Sequence, residues 1–89
     1  MALTKEQRRS IISENRTHDG DSGSPEVQIA LLTQDIRQLT EHMKVHSKDF
    51  HSRRGLLAKV SRRAKLLRYL DKNAHERYIA ITDKLGLRR

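Results

Sequence analysis

The chain has no cysteine, no tryptophan, a single proline, and only one phenylalanine and two tyrosines. Without cysteine there is no disulfide framework, no thiolate nucleophile and no cysteine zinc site, so nothing argues for an oxidising compartment. The shortage of aromatics excludes another class. Sheet platforms that stack unpaired bases need exposed rings, and only Phe50, Tyr69 and Tyr78 could supply them. No apolar run is long enough for a signal peptide or a membrane span, and a helix lying on a membrane needs bulky apolar side chains that are missing here. The sequence therefore predicts a cytoplasmic chain with no membrane partner.

Charge is what the chain has in excess: 19 Lys and Arg against 11 Asp and Glu give +8 over 89 residues. A field of that sign attracts polyanions, and nucleic acid is the leading partner. The length and the 35% hydrophobic content allow one small domain over residues 1–89, because so short a chain buries only about 60 to 65% of its unfolded surface. It is expected to be a monomer when free.

Local patterns predict helices and no strand. Thr4-Lys-Glu-Gln7 has the form of a capping box and starts a first helix running to about Asn15. Only Ile11, Ile12 and the preceding Leu3 are apolar there, so this helix is expected to be loosely attached. Thr17 to Ser24 is a polar linker holding Gly20 and Gly23. It reads either as a solvated loop or as backbone that approaches a phosphate chain closely. Ser24-Pro25-Glu26 is a strong helix start, with serine as cap, proline in the first turn and an acid at the positive end of the dipole. The second helix runs to about Val45, with Leu32, Ile36, Leu39 and Met43 on one stripe that Ile29 and Leu31 widen. Asp49 can cap a third helix running to about Lys72, whose expected buried face is Leu56, Leu57, Val60, Ala64 and Leu67. Gly55 interrupts it, either for a close helix crossing or to leave room for a ligand backbone. Asn73-Ala-His-Glu76 has the form of a second capping box, beginning a fourth helix with Tyr78, Ile81 and Leu85 on its seam and Gly86 as its stop. The expected fold is all-α: four helices, the second to fourth forming an antiparallel core.

The stretch from His42 to Gly55 stands out. It joins the two longest helices and carries His42, His46, Lys48, Asp49, His51, Ser52, Arg53 and Arg54, a density of hydrogen-bonding groups that a mere connection does not require. It is the expected main recognition surface. Between Phe50 and Leu70 there are seven Lys or Arg and no acid. A solvated face usually mixes both signs, so a run this one-sided suggests an anionic partner. Ser61, Lys65, Arg68 and Lys72 share one stripe beside Tyr69, where a sugar-phosphate backbone could lie.

Other chemistry is poorly supported. His42 and His46 have the spacing of two metal ligands on one helix face, but Lys44, Lys48, Arg53 and Arg54 would repel a cation, and no internal base accompanies them. No nucleophile elbow or carboxylate pair points to an enzyme, and no cofactor is implied.

Gly23-Ser-Pro-Glu-Val-Gln28, His46-Ser-Lys-Asp-Phe-His-Ser-Arg-Arg-Gly-Leu56 and Arg68-Tyr-Leu70 together resemble the bacterial ribosomal protein S15 family of the small subunit, over essentially the whole chain. The resemblance implies a four-helix fold and a primary binder of small-subunit ribosomal RNA that grips a three-way junction and a nearby minor-groove site. It carries the minor-groove contacts onto His42, Asp49 and Ser52, and the junction contacts onto Ser22, Gly23, Gln28, Tyr69 and Lys72. Asp35 stands where some relatives have a base, which leaves a phosphate contact there unsupported. Further implied partners are neighbouring small-subunit proteins, the large subunit across the interface and, in some bacteria, the protein's own messenger RNA. The alternative from a different class is a helical DNA-binding or architectural protein. A helix-turn-helix would present the N-terminus of one helix to a major groove, whereas these groups span a hinge and a distant loop.

Overall fold

Four helices, α1 (Lys5–Asn15), α2 (Pro25–Val45), α3 (Phe50–Asn73) and α4 (His75–Leu85), make up the computed structural model, which describes residues 4–15 and 24–87. Their starts follow from local chemistry. The Thr4 amide donates to Gln7 Oε1 at 3.0 Å and the Gln7 amide to Thr4 Oγ1 at 3.1 Å, which closes the expected capping box. Ser24 Oγ accepts from the Val27 amide and Pro25 opens α2, while Asp49 caps α3 through the Ser52 amide. Gly86 ends α4 in the left-handed conformation (φ 67°), and the Leu87 amide returns to the Thr82 carbonyl at 2.8 Å.

The fourth start departs from expectation. Asn73 caps nothing: it is the last residue of α3, and its side-chain amide donates back to the Tyr69 carbonyl at 2.8 Å. Ala74 then serves as C-cap of α3 and N-cap of α4 alike, with no side-chain hydrogen bond at the new helix. A donor aimed backwards cannot accept from the amides ahead of it.

Helix α2 is the centre of the fold and packs against each of the other three. Val27, Ile29, Ala30, Leu32, Ile36 and Leu39 are buried along it. On the α3 and α4 side, Ile29, Leu70 and Ile81 form a cluster closed by Leu66, Leu67, Tyr78, Leu85 and the folded-back Leu87. On the α1 side the only buried apolar pair among the described residues is Ile11 with Ala30, flanked by Leu31 and Leu85. Contacts pair His42 with Asp49, Asp35 with Lys59 and Thr33 with Arg63, the order of an antiparallel hairpin. Two cross-helix links fix α4 beside α2. Arg77 donates through Nε and Nη2 to both oxygens of the buried Glu26, and Arg37 Nη2 donates to the Leu85 carbonyl at 2.9 Å.

The face of α3 is rotated from the expected one. Leu57 and Val60 are 62% and 38% exposed and Ala64 is exposed, whereas Leu56, Lys59, Arg63, Leu66, Leu67 and Leu70 turn inward. The Leu66, Leu67 and Leu70 triplet sets the rotation, because it packs in one cluster with Ile29 of α2 and Ile81 of α4. Going back towards the hinge, that rotation brings Lys59 and Arg63 to α2. Their aliphatic stems cover apolar surface while their heads find Asp35 Oδ2 (3.0 Å) and Thr33 Oγ1 (3.3 Å).

A Cβ added at Gly55 would meet no atom within 4 Å, so the close crossing that would demand glycine is not there. The Gly55→Ala variant should be about 1 kcal/mol more stable, read as a raised urea midpoint at unchanged slope; a less stable variant would mean that the space is needed by the fold. With Ile11 its only buried apolar side chain, α1 should also lose amide protection at lower free energy than α2 or α3 in hydrogen exchange. Uniform protection across all four helices would contradict that.

Candidate nucleic-acid interface

The turn between the long helices is short, and hydrogen bonds close it from both ends. His46 ends α2 with its amide donating to the His42 carbonyl at 2.9 Å, and the Asp49 amide donates to the His46 carbonyl at 3.0 Å. Asp49 is then the common partner of the site. Its Oδ1 accepts from the Ser52 amide at 3.1 Å, and its Oδ2 accepts from Ser52 Oγ at 2.7 Å and from His42 Nε2 at 2.8 Å. The Ser52 hydroxyl and the His42 ring hold this carboxylate well below its ordinary value of 3.8.

That geometry decides which atoms are left to recognise anything. A carboxylate only accepts, so the proton of the His42 contact sits on Nε2, and Nδ1 is an acceptor whenever the ring is neutral. The Ser52 hydroxyl spends its proton on Asp49 and keeps its lone pairs. Asp49 Oδ2 has two donors already, which leaves Oδ1 with one open position. The edge formed by His42, Asp49 and Ser52 is thus rich in acceptors and half-buried, on a protein whose surface is otherwise rich in donors. Such an edge suits the exocyclic amine of guanine, the one donor among base edges in a minor groove.

Around this edge the remaining hinge residues are exposed. The His46 ring lies 4.7 Å from that of His42, tilted by 33°. Arg53 reaches the Ser47 carbonyl at 3.4 Å and lies 5.9 Å from the centre of the Phe50 ring. Lys48, His51 and Arg54 are exposed and make no side-chain hydrogen bond among the described residues. On α3, Lys65, Arg68 and Lys72 are exposed as their spacing predicts, with Tyr69 58% exposed beside them.

Gln28, at the far end of α2, is half-buried and lines a cavity of about 430 Å³ together with Arg8, Leu31, Leu32, Asp35, Lys59 and Arg62. Ser22 and Gly23 lie outside the described residues. Arg8 and Arg62 were not singled out from the sequence. Arg62 belongs to the one-sided basic run, but nothing local signals that Arg8 of α1 would be brought next to it. Asp35 is engaged with Lys59, so this pair ties α2 to α3 and leaves Arg8 and Arg62 as the cations facing the cavity. Among the described residues no three His, Asp or Glu side chains are grouped to hold a metal, and no helix is long and apolar enough to cross a membrane.

Comparison with known proteins places the chain among relatives of one kind. Residues 8–88 match the family model described as Ribosomal protein S15. The chain is 63% identical over 89 residues to the small ribosomal subunit protein uS15 of Carboxydothermus hydrogenoformans. It is 58% identical to that of Dictyoglomus thermophilum and 57% identical to that of Pelotomaculum thermopropionicum, each over the full length of both chains.

The Asp49 geometry carries a pH dependence with a definite sign. Because folding lowers the pKa, the stabilisation is fully present above the unfolded value of 3.8 and is lost as the pH falls towards the folded one. The stability difference between the parent and Asp49→Asn, which keeps the capping oxygen, should be constant above about pH 5 and shrink below about pH 4. A difference that stayed flat to pH 2.5 would show that the carboxylate charge contributes nothing to the hinge.

Proposed function

The chain belongs to the ribosomal protein S15 family of the small ribosomal subunit, structural components and not enzymes, and from that premise we propose that it is a single RNA-binding domain over residues 1–89 that holds a three-way junction of small-subunit ribosomal RNA. The observation that carries the reading is the acceptor edge of His42, Asp49 and Ser52, joined into one unit by hydrogen bonds to a single carboxylate. It reads guanine amines in the wide, shallow minor groove of A-form RNA, where a lysine could only hold a phosphate. His46, Lys48, His51, Arg53 and Arg54 surround that edge with groups for the flanking strands.

The second contact is the junction itself, reached by Ser22, Gly23 and Gln28 at the start of α2 and by Tyr69 and Lys72 on α3. Lys65 and Arg68 neutralise backbone phosphates on the same outer stripe. Gln28 and His42 stand fourteen residues apart on one helix, about 20 Å at 1.5 Å per residue. A continuous helix of that length acts as a ruler. It sets the distance between a minor groove and a junction, so that binding selects one arrangement of the RNA arms and later proteins meet a fixed scaffold. The protein works in the cytoplasm, with small-subunit proteins as neighbours and the large subunit across the interface.

The two kinds of contact should respond differently to mutation. Lys65→Ala should weaken binding to most RNAs alike and lower the slope of log K against log salt by about one unit, since one fewer counterion is released. Ser52→Ala and Asp49→Asn should leave that slope nearly unchanged, cost about 1 to 3 kcal/mol on the junction RNA and little on a scrambled one. Parent-like affinity in both hinge variants, with helicity intact, would reduce the hinge to a connection. A helix-turn-helix also uses a turn this short, so equal affinity of the parent for duplex DNA would favour the DNA-binding class.

A further inference from the structure

Helix α1 is fastened at one end only. Ile11 is its single buried apolar side chain, and Lys84 of α4 donates to the Glu14 carbonyl. From Thr4 to Ser10 the side chains hydrogen-bond within the capping box and to no other helix among the described residues. Docking also carries a cost: the buried Asn15 side chain donates to the Ile11 carbonyl at 2.8 Å, but its Oδ1 has no partner among the described residues. The loosely held end lies beside a gap. No Cα of α1 comes within 8 Å of one in α3, and what separates the two helices is the cavity of about 430 Å³.

Arg8 stands on the α1 wall of that cavity, Lys59 and Arg62 stand on the α3 wall, and α2 supplies the floor with Leu31 and Leu32 and, at its edge, Asp35. Three cations therefore share the space with one carboxylate. Asp35 is engaged by Lys59 at 3.0 Å, while Arg8 and Arg62 are exposed and have no side-chain partner among the described residues. An acid on either wall would have closed the gap with an ion pair. With a base on both walls, the field across it repels α1 from α3 unless an anion sits between them. A phosphate suits the position, because its tetrahedral oxygens serve two guanidinium forks at once, where a carboxylate is matched to one. Pockets for small ligands run from about 300 to 1,000 Å³, so the cavity admits a phosphate together with the sugar beside it.

We infer that Arg8 and Arg62 clasp one backbone phosphate of the bound RNA across this cavity, and that the clasp fastens the N-terminal end of α1 to α3. The inference rests on the RNA-binding reading given above and adds to it two residues and a consequence. Gln28, placed at the junction in that reading, lines the same cavity, so a strand that reaches Gln28 runs past both arginines. Neither helix can hold the phosphate in this way alone. Helix α1 is therefore docked by the RNA as much as by its own apolar contact, and its order reports occupancy of the site.

The test measures amide hydrogen exchange and RNA affinity in the full chain. Saturating junction RNA should slow exchange of the α1 amides at least several-fold in the parent. In Arg62→Gln, a change on α3, that gain should vanish while the RNA-dependent protection of α2 and α3 persists. Arg8→Gln and Arg62→Gln should each weaken junction RNA several-fold, and the double variant little more than either, because one shared phosphate is lost in all three. Its salt slope should fall by about one unit, not two. The charge control Arg9→Gln, on α1 but outside the cavity, should leave the α1 protection in the complex intact. Losses that multiply in the double variant would mean two separate phosphates, and α1 protection retained in Arg62→Gln would mean no bridge; either overturns the clasp. The same protection of α1 by inorganic phosphate, against chloride at matched ionic strength, would overturn the assignment to the strand and leave a free anion as the occupant. If the parent binds junction RNA with the hinge dependence described above yet both arginine variants match it, the clasp alone fails; if the parent does not bind junction RNA, the functional reading fails with it.

Discussion

A single carboxylate sets the relation between the two longest helices. Asp49 caps α3 through the Ser52 amide and, with its other oxygen, holds the Ser52 hydroxyl and the His42 ring of α2. Cap, turn and cross-helix tie are one hydrogen-bonded unit, so the path of the chain out of α2 and the direction of α3 are not independent. Everything that α3 carries, from the basic outer stripe to Leu70 at the core, is aimed by that turn. The same three residues present the acceptor edge. Function and architecture therefore make the same demand on the sequence at this point, and substitutions there will not separate into purely structural and purely functional ones.

Acids are used in a consistent way. In a chain with a net charge of +8, the acids at helix contacts are spent inward: Glu26 on Arg77, Asp35 on Lys59, Asp49 on His42. Each such pair stabilises only where geometry and partial burial repay desolvation, which the two-point fork between Glu26 and Arg77 achieves best. The consequence is at the surface. With these acids turned in, the stretch of α3 from Phe50 to Leu70 presents its bases with no carboxylate of its own, the exposed Asp71 being the first beyond it, and the field that a polyanion meets there is stronger than composition alone suggests.

Much of this was legible in the sequence. The Thr4 and Gln7 box, the serine and proline at the start of α2 and the Asp49 cap are local devices whose hydrogen bonds span three residues, so they do not depend on the rest of the fold. The stripe of α2 was equally plain, because every apolar residue on it is buried or half-buried. The rotation of α3 was not. Its apolar residues occupy more than one face, and choosing between Leu57 with Val60 and Leu66 with Leu70 requires knowing where α4 lies. The inward faces of Lys59 and Arg63 were hidden for a related reason, since a charged residue signals solvent until its partner on another helix is known. Asn73 misled because an asparagine can donate backwards as well as accept forwards, and the pattern of letters is the same for both. At the hinge the residues were identified, but not that Asp49 orders the other two.

The joint between α3 and α4 is one residue, Ala74, shared by both helices. Leu70 and Ile81, which meet across it, are close along the chain as well as in space. The loop that must close to bring them together is therefore short, and its entropic cost is small. Contacts of α2 with α4, such as Glu26 with Arg77, span about half the chain and cannot form so cheaply. The α3 and α4 corner is thus a local contact, as is the α2 and α3 hairpin turned at residues 46–49, and the docking of α4 on α2 is the closure that spans long stretches of chain.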